Sequence, residues 1–295
     1  MNNPEVMNFK VVDNFISEAE CSDLLKDAKK FLRNEDIPNF SKSDDPVCAA
    51  RKSLRSTNLQ FLDLANKSKH WKKLLAKINS DDFFQFCLKN LNLDNKSFLK
   101  VDYVNKINKI SRSELSFKIL GNQRLDGVKF TSLFKYLLFR QYMIIKQKLF
   151  FLKFKFKKVL PVEFIYDYSQ SGNGYGREIH RDSDSRIIVI LIYLNELSEK
   201  ASGGELNVYK YAKDNKKIPS RPDPAECELI GTVKPSPGKL VMFQNSSEAL
   251  HGVPQMSNHS GLRYFTYGAF TLLAGKNPFL SNSSDTMKTF DEAFI

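Results

Sequence analysis

Histidine is scarce in this chain, with four in 295 residues, and tryptophan occurs once. Cysteine is scarce too: Cys21, Cys48, Cys87 and Cys227 form no CxxC pair and no zinc-knuckle spacing. That excludes a zinc ribbon and a thioredoxin-like centre, and it fits reduced thiols in a cytoplasmic protein. Long apolar runs are missing. The most apolar stretch, residues 132–156, is interrupted by Lys135, Arg140, Lys146, Lys148, Lys153 and Lys155. A membrane span of about 20 lipid-facing residues does not tolerate so many charges, so no transmembrane helix is expected. The opening MNNPEVMNFK lacks a basic stretch followed by an apolar one, so no secretory signal is expected. Gly172, Gly174 and Gly176 are not followed by a helix opening on Lys-Ser/Thr, which excludes a phosphate loop; they are expected to form a flexible lip over a site.

What the chain has in excess is positive charge, a net +12, and most of it is local. Residues 101–160 hold fourteen Lys/Arg against Asp102, Glu114 and Asp126, a local excess of +11, interleaved with phenylalanines and tyrosines. This basic, aromatic-rich insert suits an acidic partner such as nucleic acid or an acidic membrane surface. It equally suits a packed helix whose lysines stay in water while their stems cover apolar surface.

The rest of the chain divides in two. Residues 1–100 read as an N-terminal strand and helices that support a barrel. Ser17 and Glu20 form an S-x-x-E capping box ahead of Cys21, Leu24, Leu25, Ala28 and Leu32 at helical spacing. Residues 34–58 are expected to be a surface loop, and a helical stretch runs from Ser68 through Leu91 with a break at Ser80-Asp81. Residues 161–275 change to β texture, with EFIYDY, RIIVILIYLN, GGELNVYK, GKLVMF and LRYFTYGAFTLL separated by turn residues. That is the pattern of a jelly roll, a mainly β core with supporting helices, and the continuous apolar run RIIVILIYL marks a central strand covered on both faces. Pro235, Pro237 and Gly238 place a tight turn before KLVMF, and residues 276–295 read as a peripheral tail.

Two of the four histidines fall in this β region beside a carboxylate. His180 and Asp182 stand two residues apart and project to one side of an extended strand end; His251 follows 71 residues later, far enough for a jelly roll to return the chain to the neighbouring strand. Two neutral imidazoles and one carboxylate on one face of an octahedral ion form the arrangement that suits non-haem Fe(II). Asp184 is a rival carboxylate and His259 a rival for His251, although His259 lies in the polar SNHSG turn and reads as an exposed loop residue. His70, next to Trp71, reads as a surface or packing residue.

The surrounding motifs favour the first set. YSQSGNGYGREIHRD at 168–182, IYLN at 192–195, GGEL at 203–206, PSPGKLVMFQN, His251 and Arg263 follow in this order. Together they resemble the core of the prolyl 4-hydroxylase-like Fe(II)/2-oxoglutarate dioxygenases, which have a double-stranded β-helix. VVDNFISEAEC resembles the strand and helix that precede that barrel.

The resemblance implies that His180, Asp182 and His251 bind iron. It implies that Arg263, 12 residues past His251, pairs with the distal carboxylate of 2-oxoglutarate, whose planar form its fork matches. It further implies that Tyr193 adds a hydroxyl donor to that same carboxylate and that Tyr168, and after it Tyr166, lines the co-substrate pocket. The cofactors implied are Fe(II), 2-oxoglutarate and O2, with ascorbate as a candidate reductant. The reaction implied is hydroxylation of an unactivated C–H bond with decarboxylation of 2-oxoglutarate to succinate. An aspartate at position 182 leaves no ligand position for halide, which favours hydroxylation over halogenation. Peptidyl proline and small molecules are both open as substrates, since fold does not choose among them. The rival from another class is a non-catalytic jelly-roll protein that docks on nucleic acid or an acidic membrane through the basic insert.

Overall fold

A computed structural model describes residues 7–39, 50–56, 58–93, 162–213, 218–272, 277 and 280. The basic insert at 101–160 and Cys48 lie outside the described residues. So does the tail, apart from Asn277 and Leu280. No helix among the described residues is long and apolar enough to cross a membrane.

Two antiparallel sheets face one another, as the jelly-roll pattern predicts. The elements run β1 (Phe9–Val12), α1 (Glu18–Phe31), β2 (Arg51–Arg55), α2 (Leu59–Lys67), α3 (Lys69–Ile78), α4 (Asp81–Asn90), β3 (Val162–Ser171), β4 (Arg177–His180), β5 (Arg186–Tyr193), β6 (Leu206–Tyr211), β7 (Cys227–Val233), β8 (Leu240–Gln244), β9 (Leu250–Val253) and β10 (Arg263–Leu272). The larger sheet has the order β1-β8-β5-β10-β3-β2 and the smaller β4-β9-β6-β7.

The helices begin where their caps dictate. Ser17 Oγ accepts from the Glu20 amide while Glu20 accepts from the Ser17 amide, so two orphan amides of α1 are satisfied. Ser68 and Ser80 cap α3 and α4 in the same position, which is why the long helical stretch splits at Ser80. Trp71, Phe61 and Phe84 pack on the outer face of the larger sheet against Tyr168, Tyr166 and Phe270, at ring distances of 5.5, 5.3 and 4.7 Å. The Trp71 indole satisfies its own N–H on the Leu24 carbonyl at 3.0 Å.

β5 separates two cores. Ile188, Ile190 and Ile192 point to the helices, whereas Val189, Leu191 and Tyr193 point to the smaller sheet. This is the two-sided burial that its unbroken apolar run predicts. The turn into β8 is fixed by Gly238 at φ +74°, where a Cβ would fall 1.8 Å from the Ile16 carbonyl oxygen, so only glycine fits.

The expected loop at 34–58 is corrected in part. It contains a 3-10 turn at Asn34–Asp36, and Arg51–Arg55 form β2, the edge strand paired to β3. The strand escaped notice because its inward residues are Arg51 and Ser53 while Leu54 points to the helices, the reverse of the usual alternation.

Candidate metal and co-substrate site

His180 at the end of β4 and His251 on β9 are directly paired across the smaller sheet, with Val208 of β6 next in the row. Asp182 follows β4 by two residues. The three ligand atoms lie within 4.8 Å of one another, and all three residues are buried. His251 Nε2 is 3.6 Å from Asp182 Oδ2, and the two imidazole centroids are 4.4 Å apart.

Both rings are held by their other nitrogen. His180 Nδ1 bonds the Glu178 carbonyl at 2.8 Å and His251 Nδ1 the Ala249 carbonyl at 3.0 Å. A carbonyl only accepts, so each Nδ1 carries the proton and each Nε2 keeps its lone pair on the shared side. Arg177 Nε makes a long approach to His180 Nε2, at 3.4 Å.

The charge states suit a divalent cation. Burial first, then the neighbouring His251, pushes His180 down to about 3, and burial likewise lowers His251. Burial alone would raise Asp182, but Arg186, His251 and His180 outweigh it and hold the carboxyl at about 2. At neutral pH the set is two neutral imidazoles and one carboxylate. Arg186 Nη1 donates to Asp182 Oδ1 and, at 2.6 Å, to the Tyr267 hydroxyl; that hydroxyl donates to Asp182 Oδ2 at 3.0 Å.

Facing the triad, Arg263 opens β10 and is 1% exposed. Among the described residues none of its three guanidinium nitrogens has a hydrogen-bond partner, and neither does the Tyr193 hydroxyl or the Ser171 Oγ. These groups converge: Ser171 is the cross-strand partner of Arg263, and the Tyr193 ring lies 5.3 Å from the guanidinium carbon. Burial raises the Tyr193 phenol, with the Arg263 charge opposing it. The Tyr175 and Phe265 rings lie 5.8 and 4.5 Å from the same carbon. A buried guanidinium without a partner is costly. A carboxylate placed here would satisfy it, so the donor set fits a dicarboxylate co-substrate, and the His/Asp/His set fits Fe(II).

Of the residues singled out from the sequence, His180, Asp182, His251, Arg263 and Tyr193 all line the space between the sheets. Tyr168 does not. It points to the helices, stacked on Tyr264 at 6.4 Å and edge-on to Trp71, because residues of odd number on β3 face inward and those of even number outward. Tyr166 is outward for the same reason. A second phenol near Arg263, besides that of Tyr193, belongs to Tyr175, which sequence reasoning missed. Ser171, Arg186 and Tyr267 were missed as well, and their only signal was position on strands whose inward face could be read by parity. Asp184 pairs with Arg181 on the surface and does not reach the triad. His259 is buried rather than exposed: its Nδ1 accepts from the Ser198 amide at 3.1 Å, which ties the two loops together. His70 is half-buried beside Asp27 at 3.0 Å, a packing role. The glycine lip is tied down, Gly174 donating its amide to the Met256 carbonyl at 2.7 Å.

Residues 165–270 match the sequence profile of the 2OG-Fe(II) oxygenase superfamily. No curated protein matches the chain in sequence. Similar solved structures include a prolyl-4-hydroxylase from Pseudomonas putida, 13% identical over 90% of this chain and 92% of that one, with a TM-score of 0.47. They also include the viral collagen prolyl hydroxylase of Paramecium Bursaria Chlorella virus-1 in its 2OG complex, 13% identical over 89% and 95%, with a TM-score of 0.39. A third is a Trichoplax adhaerens prolyl hydroxylase in complex with a hypoxia inducible factor peptide fragment, 12% identical over 90% and 83%, with a TM-score of 0.44.

Proposed function

We propose that this chain, a 2-oxoglutarate-dependent Fe(II) dioxygenase by the superfamily that its residues 165–270 match, hydroxylates an unactivated C–H bond as 2-oxoglutarate is decarboxylated to succinate. In this reading residues 161–275 are the catalytic core and 1–100 its support. His180 Nε2, His251 Nε2 and Asp182 Oδ2 hold the metal, while Arg263 takes the distal carboxylate of 2-oxoglutarate bidentately with Tyr193 and Ser171 as further hydroxyl partners. Bound Fe(II) supplies the redox chemistry with dioxygen. The protein's own share is to keep both imidazoles in the Nδ1–H tautomer, to keep Asp182 ionised, and to wall the co-substrate off from water with Tyr175, Phe265 and Phe243, whose ring lies 4.7 Å from that of His251.

The observation that carries the reading is the buried Arg263 guanidinium, which has no hydrogen-bond partner among the described residues, on the sheet opposite the triad. A non-catalytic docking protein has no use for such a group. The direct test supplies Fe(II), 2-oxoglutarate, O2 and, as the two-electron donor in place of the C–H substrate, ascorbate to the purified protein and follows succinate. Succinate formation in wild type that is lost in Asp182→Ala supports the reading, and its absence in wild type refutes it. A peptidyl proline and a small molecule both remain within the reading, as does a reducing cytoplasmic setting. The acidic partner at residues 101–160 rests on that segment's +11 excess; turnover or partner binding that ignores salt would count against it.

A further inference from the structure

Arg263 stands at the end of both ladders of β10. It is the first residue of that strand, and its pairing with Ser171 is the last pair between β10 and β3. On the other side β10 pairs with β5 only as far as Phe265 opposite Tyr193, two residues short of Arg263. The chain arrives from Gly261, at a φ of +106° that glycine adopts without strain. Strand ends fray, and a guanidinium that must meet a carboxylate as a planar fork tolerates little displacement.

The side chain of Asn195 closes this gap. Its Nδ2 donates to the Leu262 carbonyl at 3.0 Å and its Oδ1 accepts from the Tyr264 amide at 2.7 Å, so one planar amide holds the two peptide groups that flank Arg263. Tyr264 is fixed further by the Leu194 amide, which donates to its carbonyl at 3.0 Å, and by its ring, stacked on Tyr168 at 6.4 Å. A side-chain amide carries a donor and an acceptor in one plane, as a backbone peptide does. Asn195 therefore stands in for the next residue of a strand that has ended at Tyr193. With the Tyr264 ring held on the helix side, strand alternation sends the Arg263 side chain inward.

We propose that Asn195 is a positioning residue for Arg263: by clamping both of its peptide groups, Asn195 aims the guanidinium at the distal carboxylate of 2-oxoglutarate. The inference rests on the oxygenase reading above. Asn195 acts only through Arg263 and touches neither co-substrate nor metal. Its loss is therefore felt by a ligand that carries the distal carboxylate and not by one that lacks it. Pyruvate is such a ligand, since it offers the same 2-oxo acid to the metal and has no second carboxylate for Arg263. A role confined to general stability would move both ligands alike.

The test titrates the anaerobic, Fe(II)-loaded protein with 2-oxoglutarate and, separately, with pyruvate, and reads each dissociation constant from the visible charge-transfer band. Asn195→Leu, close in volume but without donor or acceptor, is expected to weaken 2-oxoglutarate about tenfold and to leave pyruvate within about twofold. Mn(II) affinity, expected to stay unchanged, is the second reference. Asn195→Ser, too short to span both peptide groups, is expected to show the same split and keeps the test open should the first variant not fold, which melting curves check. Unchanged 2-oxoglutarate affinity in a folded variant, equal losses for 2-oxoglutarate and the references, or failure of both variants to fold overturns the inference. The wild type separates the two failures. If it shows the 2-oxoglutarate band while the variants behave like it, only this inference falls; if it shows no band and binds no metal, the oxygenase reading falls with it.

Discussion

The Tyr267 hydroxyl donates to Asp182 Oδ2 at 3.0 Å, and this is the carboxylate oxygen that lies 3.6 Å from His251 Nε2. Arg186 holds the other oxygen, so both oxygens of the carboxylate proposed as a metal ligand are oriented by the protein itself. Tyr267→Phe removes one of these bonds with almost no change in volume. Metal affinity, read by Mn(II) or Fe(II) titration, should fall about tenfold, within the usual range for outer-shell partners. An unchanged affinity would show that Arg186 alone sets the carboxylate.

Arg263 makes opposite predictions for stability and binding. In the absence of co-substrate its charge is buried with no hydrogen-bond partner among the described residues. Arg263→Met should therefore stabilise the unliganded protein by about 1–3 kcal/mol. The same change should abolish the rise in melting temperature that 2-oxoglutarate gives wild type. Thermal melts with and without 2-oxoglutarate measure both effects at once.

His180 and His251 predict an acid-sensitive unliganded protein. Their folded-state values lie below the ordinary 6.5, His180 at about 3. Between those limits the unfolded chain binds more protons than the folded one, so stability falls as pH falls below 6.5. For His180 alone the slope is about 1.4 kcal/mol per pH unit. Urea unfolding at a series of pH values should show this slope, and His180→Asn should reduce it.

Tyr168 packs between Trp71 and Tyr264 on the helix side of β3. Tyr168→Ala should cost about 3–5 kcal/mol of stability, as for other large buried rings. Tyr168→Phe should leave 2-oxoglutarate affinity unchanged, whereas Tyr193→Phe should lower it. Isothermal titration of the two phenylalanine variants distinguishes the faces.

The sequence was most legible where one residue type has one use. Ser17 with Glu20 marked the start of α1, the run at 186–193 marked a strand buried on both sides, and His180, Asp182 and His251 marked, through their spacing and the motifs around them, a buried cluster that could hold a metal ion. It was least legible where function inverts the usual pattern. β2 hides because Arg51 and Ser53 face inward. Tyr168 misled because an aromatic three residues from a polar strand end gives no sign of which face it takes; its parity relative to Ser171, fixed only by pairing with Arg263, decides that. His259 looked exposed because its neighbours are polar, yet its ring is buried where it joins two loops.

The central claim is that one interior site holds Fe(II) on His180, Asp182 and His251 and 2-oxoglutarate on Arg263. Anaerobic titration of the apoprotein with both, followed by the visible charge-transfer band of the chelate, tests it most directly. A band in wild type that weakens in both Asp182→Ala and Arg263→Ala is the expected result. A wild-type protein that shows no band and binds no metal would contradict the account.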